Sequence, residues 1–395
     1  MEYYAYYIIP LISAIIGYVT NVVAIKMTFY PLEYKGIRPF LGWQGIIPSK
    51  SDKMAEIAVD LLTRDLFKPR DVFARLDIAE VVRLSFKDFS QMSQQIADSV
   101  LDSRVPLSGT ILGRKVKPAV QQAVSSILPG VVKHAMLTIQ QPIDDILDLK
   151  SLAKSMLRED KSLINKIFLD LGGKQFRFLE VSGLWLGLIF GIGQIFTAMY
   201  VSHWIMYVAY GMFIGYITNF LAIKMIFEPT EPVQIGPLRL WGLFLKNQRE
   251  ASYKYADIIA NRILTSENLF DCIFRDPSNP HTRRIMQQEV SVAVDHIVDT
   301  MPAMVKLVLT NQKIQELKAV TLFNLMHELP LHIGVIYPYA EKTLDVRNSI
   351  GDQMSKLPPS QFVEFLRPAF REDEWKLVAV GTALGGVAGF LQSFI

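Results

Sequence analysis

One stretch of sixteen residues occurs twice in this chain. IGYVTNVVAIKMTFYP occupies positions 16–31 and IGYITNFLAIKMIFEP occupies positions 214–229, so that eleven of sixteen positions are identical at a spacing of 198. A second motif keeps the same spacing. Its members are Gly183, Gly187, Gly191 and Gln194, which correspond to Gly381, Gly385, Gly389 and Gln392. Two separate motifs at one spacing predict an internal duplication, with residues 1–197 as one copy and 198–395 as the other.

Three long runs contain no Asp, Glu, Lys or Arg. They are 23 residues from Tyr3 to Ile25, 43 from Val181 to Ile223 and 19 from Leu377 to Ile395. A helix crosses a bilayer with about 20 apolar residues, so the longest run accommodates two spans. The sequence predicts an all-α membrane protein with four transmembrane helices, at 4–27, 181–200, 204–227 and 376–394.

Basic residues flank these predicted spans on one side only. Lys26 follows the first charge-free run, Lys174 and Arg177 precede the second span, and the third and fourth spans show the same bias. Because Lys and Arg are retained in the cytoplasm, we expect both termini outside and two cytoplasmic lobes, residues 50–176 and 246–372. Each copy has an even number of spans, which predicts parallel copies related by an approximate two-fold axis along the membrane normal.

Helical periodicity recurs within both predicted lobes. Met54, Ile57, Ala58 and Leu61, for example, fall on one face of a helix. Such a face is typical of an ordinary helix-bundle core. It also fits a groove for acyl chains or a surface that lies on the bilayer, and the pattern alone leaves these interpretations open.

The repeated motif and the glycine ladders resemble the bacterial membrane proteins grouped as domain-of-unknown-function family 445. The resemblance covers nearly the whole chain and is clearest in the membrane segments. It implies a bacterial cytoplasmic (inner) membrane protein. It implies no activity and no catalytic residue, because the family has no established function.

Small and polar residues of the motif predict helix contacts. At about 100° per residue, Gly17, Thr20 and Asn21 form one stripe of a helix, and the glycine ladder forms another. Such stripes let membrane helices approach closely and hydrogen-bond. We therefore expect Gly17 and Asn21 to pack against Gly183, Gly187 and Gln194, with the Asn and Gln amides pairing. The second copy repeats this set with Gly215, Thr218, Gly381, Gly385, Gly389 and Gln392.

The lysine of each motif has two interpretations. Lys26 and Lys224 lie on the helix face opposite the asparagine, where they fit a topology signal that reaches the headgroups, or a ligand for lipid phosphate. One ligand shared with asparagine would need either a break in the helix near Thr20 and Asn21 or partners from different copies, Asn21 with Lys224 and Asn219 with Lys26. Two proline-rich segments, 31–48 and 229–246, add Arg38 and Arg239 as candidate headgroup residues.

Signals of catalysis are weak. In HELPLH the histidines His327 and His332 are five residues apart, whereas a helical zinc site needs four, and Pro330 is expected to interrupt a helix there. The chain has no phosphate loop and no CxxC, its one cysteine is Cys272, and a net charge of +3 is too small to suggest nucleic acid. We expect no enzyme and no cofactor or metal.

Three functional classes remain. The first binds or moves anionic lipid or another amphiphile at the cytoplasmic face, with membrane lipids as partners. The second is a membrane-anchored scaffold whose lobes recruit a protein. The third is a small transporter or channel, which the absence of acidic residues within the spans disfavours. The amphipathic lobes, the basic loops and the duplicated lysines favour the first class.

Overall fold

A computed structural model describes residues 2–37, 41–104, 111–198, 203–231, 233–235, 238–275, 279–300, 310–367 and 371–394. These residues are mostly helical, as predicted, and they divide into two compact units. Unit 1 comprises Met1–Leu66, Ala153–Ile258 and Ile350–Ile395, and unit 2 comprises Phe67–Leu152 and Ile259–Ser349. The duplication boundary at 197/198 stays a prediction.

Four long helices form a bundle in unit 1. They are α1 (Glu2–Phe29), α10 (Lys161–Ala198), α11 (Trp204–Phe227) and α20 (Glu374–Gln392). Helix α1 packs along α10, and α11 packs along α20. Further contacts join α1 to both α11 and α20, and α10 to α11.

Helix length and surface indicate how this bundle meets a membrane. The 38 residues of α10 correspond to about 57 Å, nearly twice the hydrocarbon thickness of a bilayer. Large apolar side chains on the long helices are exposed, including Leu11 (61%), Ile189 (61%), Ile205 (51%) and Leu391 (61%). A water-soluble protein rarely exposes so much apolar surface, so a bilayer is the environment that these faces fit.

The remaining helices of unit 1 pack beside the long ones. They are α2 (Ile46–Ser49), α3 (Ser51–Leu61), α12 (Leu243–Lys246), α13 (Gln248–Ile258) and α19 (Pro359–Leu366), with a π-helical turn at Leu62–Leu66. Helices α9 (Leu149–Glu159) and α18 (Val346–Ser355) each begin among the residues of unit 2 and end among those of unit 1. Tyr255 is completely buried, its hydroxyl lies 3.4 Å from the carbonyl oxygen of Ala58, and its ring meets Phe365 edge-on. Burial raises the pKa of the Tyr255 hydroxyl, because the charged form is disfavoured in an apolar core.

Two small antiparallel hairpins lie in the proline-rich segments, which the sequence analysis treated as loops. Strand β1 (Lys35–Ile37) pairs with β2 (Leu41–Trp43), and β3 (Val233–Ile235) pairs with β4 (Leu238–Leu240). In the first hairpin Lys35 pairs with Trp43, whereas in the second Val233 pairs with Leu240. The second hairpin is therefore one residue shorter, and Leu240 rather than Trp241 is the structural counterpart of Trp43.

Unit 2 contains a second bundle of four long helices. They are α6 (Phe86–Arg104), α7 (Ile111–Gln140), α15 (Pro280–Thr300) and α16 (Asn311–His332). Contacts join α6 to α7, α7 to α15, α15 to α16 and α16 to α6, so each half of the sequence supplies one helix pair. Shorter helices complete this unit: α4 (Pro69–Phe73), α5 (Ile78–Leu84), α8 (Ile143–Ile146), α14 (Ser266–Phe274) and α17 (Tyr337–Leu344), with a π-helical turn at Ile259–Ile263.

Among the described residues, five helical segments are long and apolar enough to cross a membrane, whereas the sequence predicted four spans. Four of the five are Ile8–Phe29, Ser162–Phe196, Trp204–Ile226 and Glu374–Gln392, which overlap the predicted spans. The additional segment, Asn311–Ser355, is not one continuous helix. A 3-10 turn at Ile333–Ile336 and the left-handed backbone of Asp345 (φ 46°) interrupt it.

Candidate functional site

The glycines of α1 and α10 lie where the two helices touch. A Cβ atom added to Gly17 would lie 2.1 Å from the carbonyl oxygen of Gly183, and one added to Gly187 would lie 2.3 Å from that of Ser13. Gly191 is also enclosed, with the Cα atom of Pro10 2.7 Å from an added Cβ. Contacts below 3.0 Å are essentially never made by real Cβ atoms, so this helix spacing requires glycine.

Helices α11 and α20 meet in the same way. An added Cβ atom would lie 2.1 Å from a backbone carbonyl oxygen both at Gly215, facing Gly381, and at Gly385, facing Gly211. A Cβ atom added to Gly389 would lie 2.2 Å from the carbonyl oxygen of Tyr207. The backbones of these two helices are therefore in direct contact along the ladder.

Two asparagines hydrogen-bond across these helix pairs. The Nδ2 atom of Asn21 donates to the carbonyl oxygen of Leu179 at 2.7 Å, and that of Asn219 donates to the carbonyl oxygen of Leu377 at 3.4 Å. Donors and acceptors are each 198 residues apart, and the two side chains are only 2% and 3% exposed. Both amides thus occupy helix contacts in the interior of the bundle.

The expected pairing of asparagine with glutamine is wrong. Gln194 accepts a hydrogen bond of 2.9 Å from the Ser13 hydroxyl instead. Gln194 lies fifteen residues after Leu179, where Asn21 binds, and this corresponds to about 22 Å along α10. The amides are too far apart along the helix to meet. Gln392 is likewise buried in α20.

The two threonines of the motif bond to their own helices. Thr20 donates to the carbonyl oxygen of Gly17 at 3.1 Å, and Thr218 donates to that of Ile214 at 2.7 Å. Both are buried, at 2% and 0% exposure. A threonine that satisfies its hydroxyl within its own helix can pack in an apolar contact without a further partner.

A small cavity of about 30 Å³ lies among the four long helices. Its lining includes residues in pairs 198 apart: Asn21 and Asn219, Ala24 and Ala222, Ile25 and Ile223, and Leu179 and Leu377. The Oδ1 atom of Asn21 is buried and has no hydrogen-bond partner within the described part of the chain. A volume of this size accommodates about one water molecule.

A larger groove of about 620 Å³ lies at the C-terminal end of α11. It combines the apolar side chains of Leu221 and Met225 with two cations, Lys224 and Arg367, and two acidic residues, Glu228 and Glu231. Lys224 is exposed and its ammonium lies 5.5 Å above the Phe220 ring, a cation–π distance.

The cations of this groove are incompletely paired. The Nη2 atom of Arg367 lies 2.9 Å from Glu228 Oε1. The Nε atom of Arg367 is buried and lacks a hydrogen-bond partner among the residues that the structure describes. Because guanidinium carries five donors in a fixed fork, Arg367 can donate to a second anion while it keeps Glu228.

The other predicted headgroup residues lie elsewhere. Lys26 is exposed in the last turn of α1, and Arg239 is in strand β4, paired with Gln234. Arg38 lies outside the described residues. The sequence did not identify Glu228 and Arg367 as partners in this groove, because 139 positions separate them and no periodic pattern connects them.

An ion-pair cluster joins α3 to the segment before α20. Lys50 lies 2.7 Å from both Glu372 and Asp373, and Lys53 also contacts Glu372. Burial tends to lower the pKa of Lys50, but hydrogen bonds to Asp373 and Glu372 outweigh it and raise that pKa. The hydrogen bonds from Lys50 and Lys53 lower the pKa of Glu372 to about 2. The charged forms of these groups therefore stabilise each other.

The HELPLH segment is helical throughout. Helix α16 includes Pro330 and ends at His332, so the expectation that Pro330 interrupts the helix is wrong. The helix continues for only two residues beyond Pro330 before it gives way to the 3-10 turn at Ile333–Ile336. His332 lies 3.5 Å from Glu328 and 3.8 Å from Asp88. No group of three metal-ligating side chains occurs within the described ranges.

Sequence comparison finds short similarities to curated membrane proteins. The chain is 45% identical over 62 residues to a UPF0754 membrane protein of Rippkaea orientalis, covering 15% of each chain. It is 34% identical over 97 residues to one of Synechococcus elongatus, covering 24% of each. It is 38% identical over 74 residues to one of Shouchella clausii, covering 17% of this chain and 20% of the relative.

These matches span less than a quarter of either partner. No family model matches the chain, and no solved structure matches it. The similarities and the exposed apolar helices together support an integral membrane protein that resembles an uncharacterised group of bacterial membrane proteins.

Proposed function

We propose that this protein binds anionic phospholipid at the cytoplasmic face of the bacterial inner membrane, in the groove at the end of α11. The observation that carries the proposal is the placement of Lys224 and Arg367 beside Leu221 and Met225. A phospholipid presents the complementary chemistry, because its phosphate attracts the cations and its acyl chains cover the apolar helix surface.

The proposed topology has four spans, α1, α10, α11 and α20, with both termini outside. Segment Asn311–Ser355 is assigned to a cytoplasmic lobe for two reasons. Its helix is interrupted, and Lys318 within it pairs with Asp295 at 2.7 Å. The matched asparagine contacts support an internal duplication, since residues 198 apart bond to partners 198 apart, and the even number of spans in each copy favours parallel copies. The shared motifs support membership of domain-of-unknown-function family 445.

In this proposal the motif residues have separate tasks. Asn21 and Asn219 hold the helix pairs together, and Lys26 fixes the depth of α1. Lys224 adds to that task a contact with phosphate, while Arg38 and Arg239 are further candidates for headgroup contact. No catalytic step is proposed.

The small size of the cavity within the helix bundle favours lipid binding over transport as the function. A space of about 30 Å³ holds roughly one water molecule, which is too little for a solute path. The groove at the end of α11, at about 620 Å³, is about twenty times larger.

Lipid retention by purified protein tests the proposal. We would place the full chain in nanodiscs of phosphatidylcholine with one-fifth phosphatidylglycerol and measure bound lipid by native mass spectrometry. Wild type is expected to retain phosphatidylglycerol preferentially. Lys224→Gln is expected to weaken that preference about fivefold, the effect of removing about 1 kcal/mol of attraction for one cation near an anionic lipid surface.

Lys26→Gln is the matched control, because Lys26 occupies the same motif position in the first copy. Position 169, which lies 198 residues before Arg367, is a leucine and supplies no second cation. Lys26→Gln is therefore expected to retain most of the preference. Equal lipid selectivity in wild type and Lys224→Gln would overturn the proposal.

A further inference from the structure

Unit 2 contains a second, larger groove between α15 and α16. Its volume is about 830 Å³, within the range of sites that enclose small organic ligands. Leu322, Phe323, Met326 and Leu331 line it with apolar surface. Phe323 is 71% exposed and Leu331 is 62% exposed, so large apolar side chains that a bundle core would bury are left open to solvent.

The other helix pair of the same bundle is closed at mid-length. The hydroxyl oxygens of Ser93 on α6 and Ser125 on α7 lie 2.6 Å apart, and Ser93 is completely buried. On α15 and α16 the polar contact is instead made by Lys318, whose ammonium lies 2.8 Å from the Ser291 hydroxyl and 2.7 Å from Asp295. A long lysine that reaches one serine hydroxyl, where the other helix pair has two serines in contact, leaves room between the helices.

Three cationic residues line the same groove as these apolar side chains. Arg275, Arg283 and Lys318 all contribute to its lining. Arg275 is neutralised by Asp271 at 2.6 Å, and Lys318 by Asp295. Arg283 is exposed and forms no ion pair within the described residues, which leaves one net positive charge beside the apolar surface.

We propose that this groove binds one long-chain anionic amphiphile, a fatty carboxylate, with its chain along Leu322 and Met326 and its carboxylate on Arg283. Charge complementarity selects the anion, and exposed apolar surface selects the chain. A guanidinium also matches the two oxygens of a carboxylate in a bidentate contact. The site is distinct from the phospholipid groove at α11, and neither depends on the other.

Two substitutions separate the roles of space and charge. Ala319→Trp places a large side chain at an exposed position in the groove lining and is expected to block the chain. Arg283→Gln removes the unpaired cation and is expected to weaken binding about fivefold, the upper size of an exposed ion pair. Arg284→Gln is the matched control, because Arg284 is the next residue on α15, is also exposed, and does not line this groove.

The probe is cis-parinaric acid, a fluorescent fatty carboxylate, titrated into the full chain in phosphatidylcholine nanodiscs, with empty nanodiscs subtracted. Wild type and Arg284→Gln are expected to bind one probe per chain, and Ala319→Trp to lose at least nine-tenths of that signal. The methyl ester of the probe is expected to bind wild type and Arg283→Gln equally.

Two results would overturn the proposal: no probe binding above empty nanodiscs, or unchanged probe binding by Ala319→Trp, whether its oligomeric state stays the same or changes. Unchanged probe binding together with a change of oligomeric state would identify the groove as an interface between copies. The lipid selectivity of Lys224→Gln is measured in a separate experiment. A negative result for fatty-carboxylate binding therefore does not affect the test of phospholipid binding, and the reverse also holds.

Discussion

Asn21 donates a hydrogen bond of 2.7 Å to the carbonyl oxygen of Leu179, and the second half of the chain repeats this contact 198 residues later. The bond joins α1 to α10 in the interior of an apolar bundle. Hydrogen bonds between membrane helices are worth about 0.6 kcal/mol on average and up to about 1.7 kcal/mol. The contact adds modest stability and fixes the register of the two helices.

Asn21→Ala is expected to destabilise the helix bundle by about 1 kcal/mol, since it removes this bond and leaves the Leu179 carbonyl without its side-chain donor. Equilibrium unfolding of purified protein in mixed micelles measures the change. Val19→Ala is the control, because Val19 is on the same helix and is 47% exposed. A loss at Val19 as large as that at Asn21 would contradict the assigned role.

Gly183→Ala is expected to destabilise more strongly, by roughly 1–3 kcal/mol, because the added methyl group would overpack the contact with α1. It would lie 2.3 Å from the carbonyl oxygen of Gly17. Gly193→Ala, on the same helix with no atom within 4 Å of an added Cβ, is expected to be neutral or slightly stabilising, since alanine favours helix. If Gly183→Ala and Gly193→Ala have the same free energy of unfolding in micelles, the close approach of the two backbones does not contribute to stability.

The acid stability of the protein is expected to depend on Glu372. Its pKa falls from 4.5 in the reference state to about 2 in the folded protein. A lowered folded pKa stabilises the protein fully above pH 4.5, and this contribution is lost as the pH falls from about 4.5 to about 2. Between pH 4.5 and about pH 2, the free energy of unfolding of Glu372→Gln is therefore expected to fall less steeply than that of wild type.

The control for the acid experiment is Glu231→Gln, because Glu231 is exposed and forms no ion pair among the described residues. Glu231→Gln is expected to leave the pH dependence unchanged. If Glu372→Gln and wild type lose stability in parallel between pH 4.5 and pH 2, the cluster with Lys50 and Lys53 has no stabilising role.

The sequence predicted the helical class and located the long apolar helices within a few residues, except that α10 begins at Lys161. Apolar runs and glycine spacings are local features of the sequence, so the helices that they predict can be recognised directly from it. The pairing of Arg367 with Glu228 depends on how distant segments converge and leaves no local pattern. The hairpins escaped prediction because each strand has only three residues, too few to show alternation.

Spacing also misled in specific places. Trp43 and Trp241 are 198 apart in the sequence, yet the shorter second hairpin pairs Leu240 where the first has Trp43. Asn21 and Gln194 both carry amide side chains, but they lie at different levels along the helix bundle. Asn21 therefore donates to the carbonyl oxygen of Leu179, and Gln194 accepts from the Ser13 hydroxyl.

The most direct test of the account is the membrane sidedness of two equivalent positions. Glu33 and Glu231 follow the repeated motif in each half, and both are exposed. In a Cys272→Ser background, single cysteines at these positions would be treated with a membrane-impermeant maleimide in right-side-out and inverted vesicles. Parallel copies predict that both cysteines react only in inverted vesicles. Reaction of the two from opposite sides would contradict the parallel arrangement, and reaction of the cysteine at position 231 from outside would contradict a lipid groove at the cytoplasmic face.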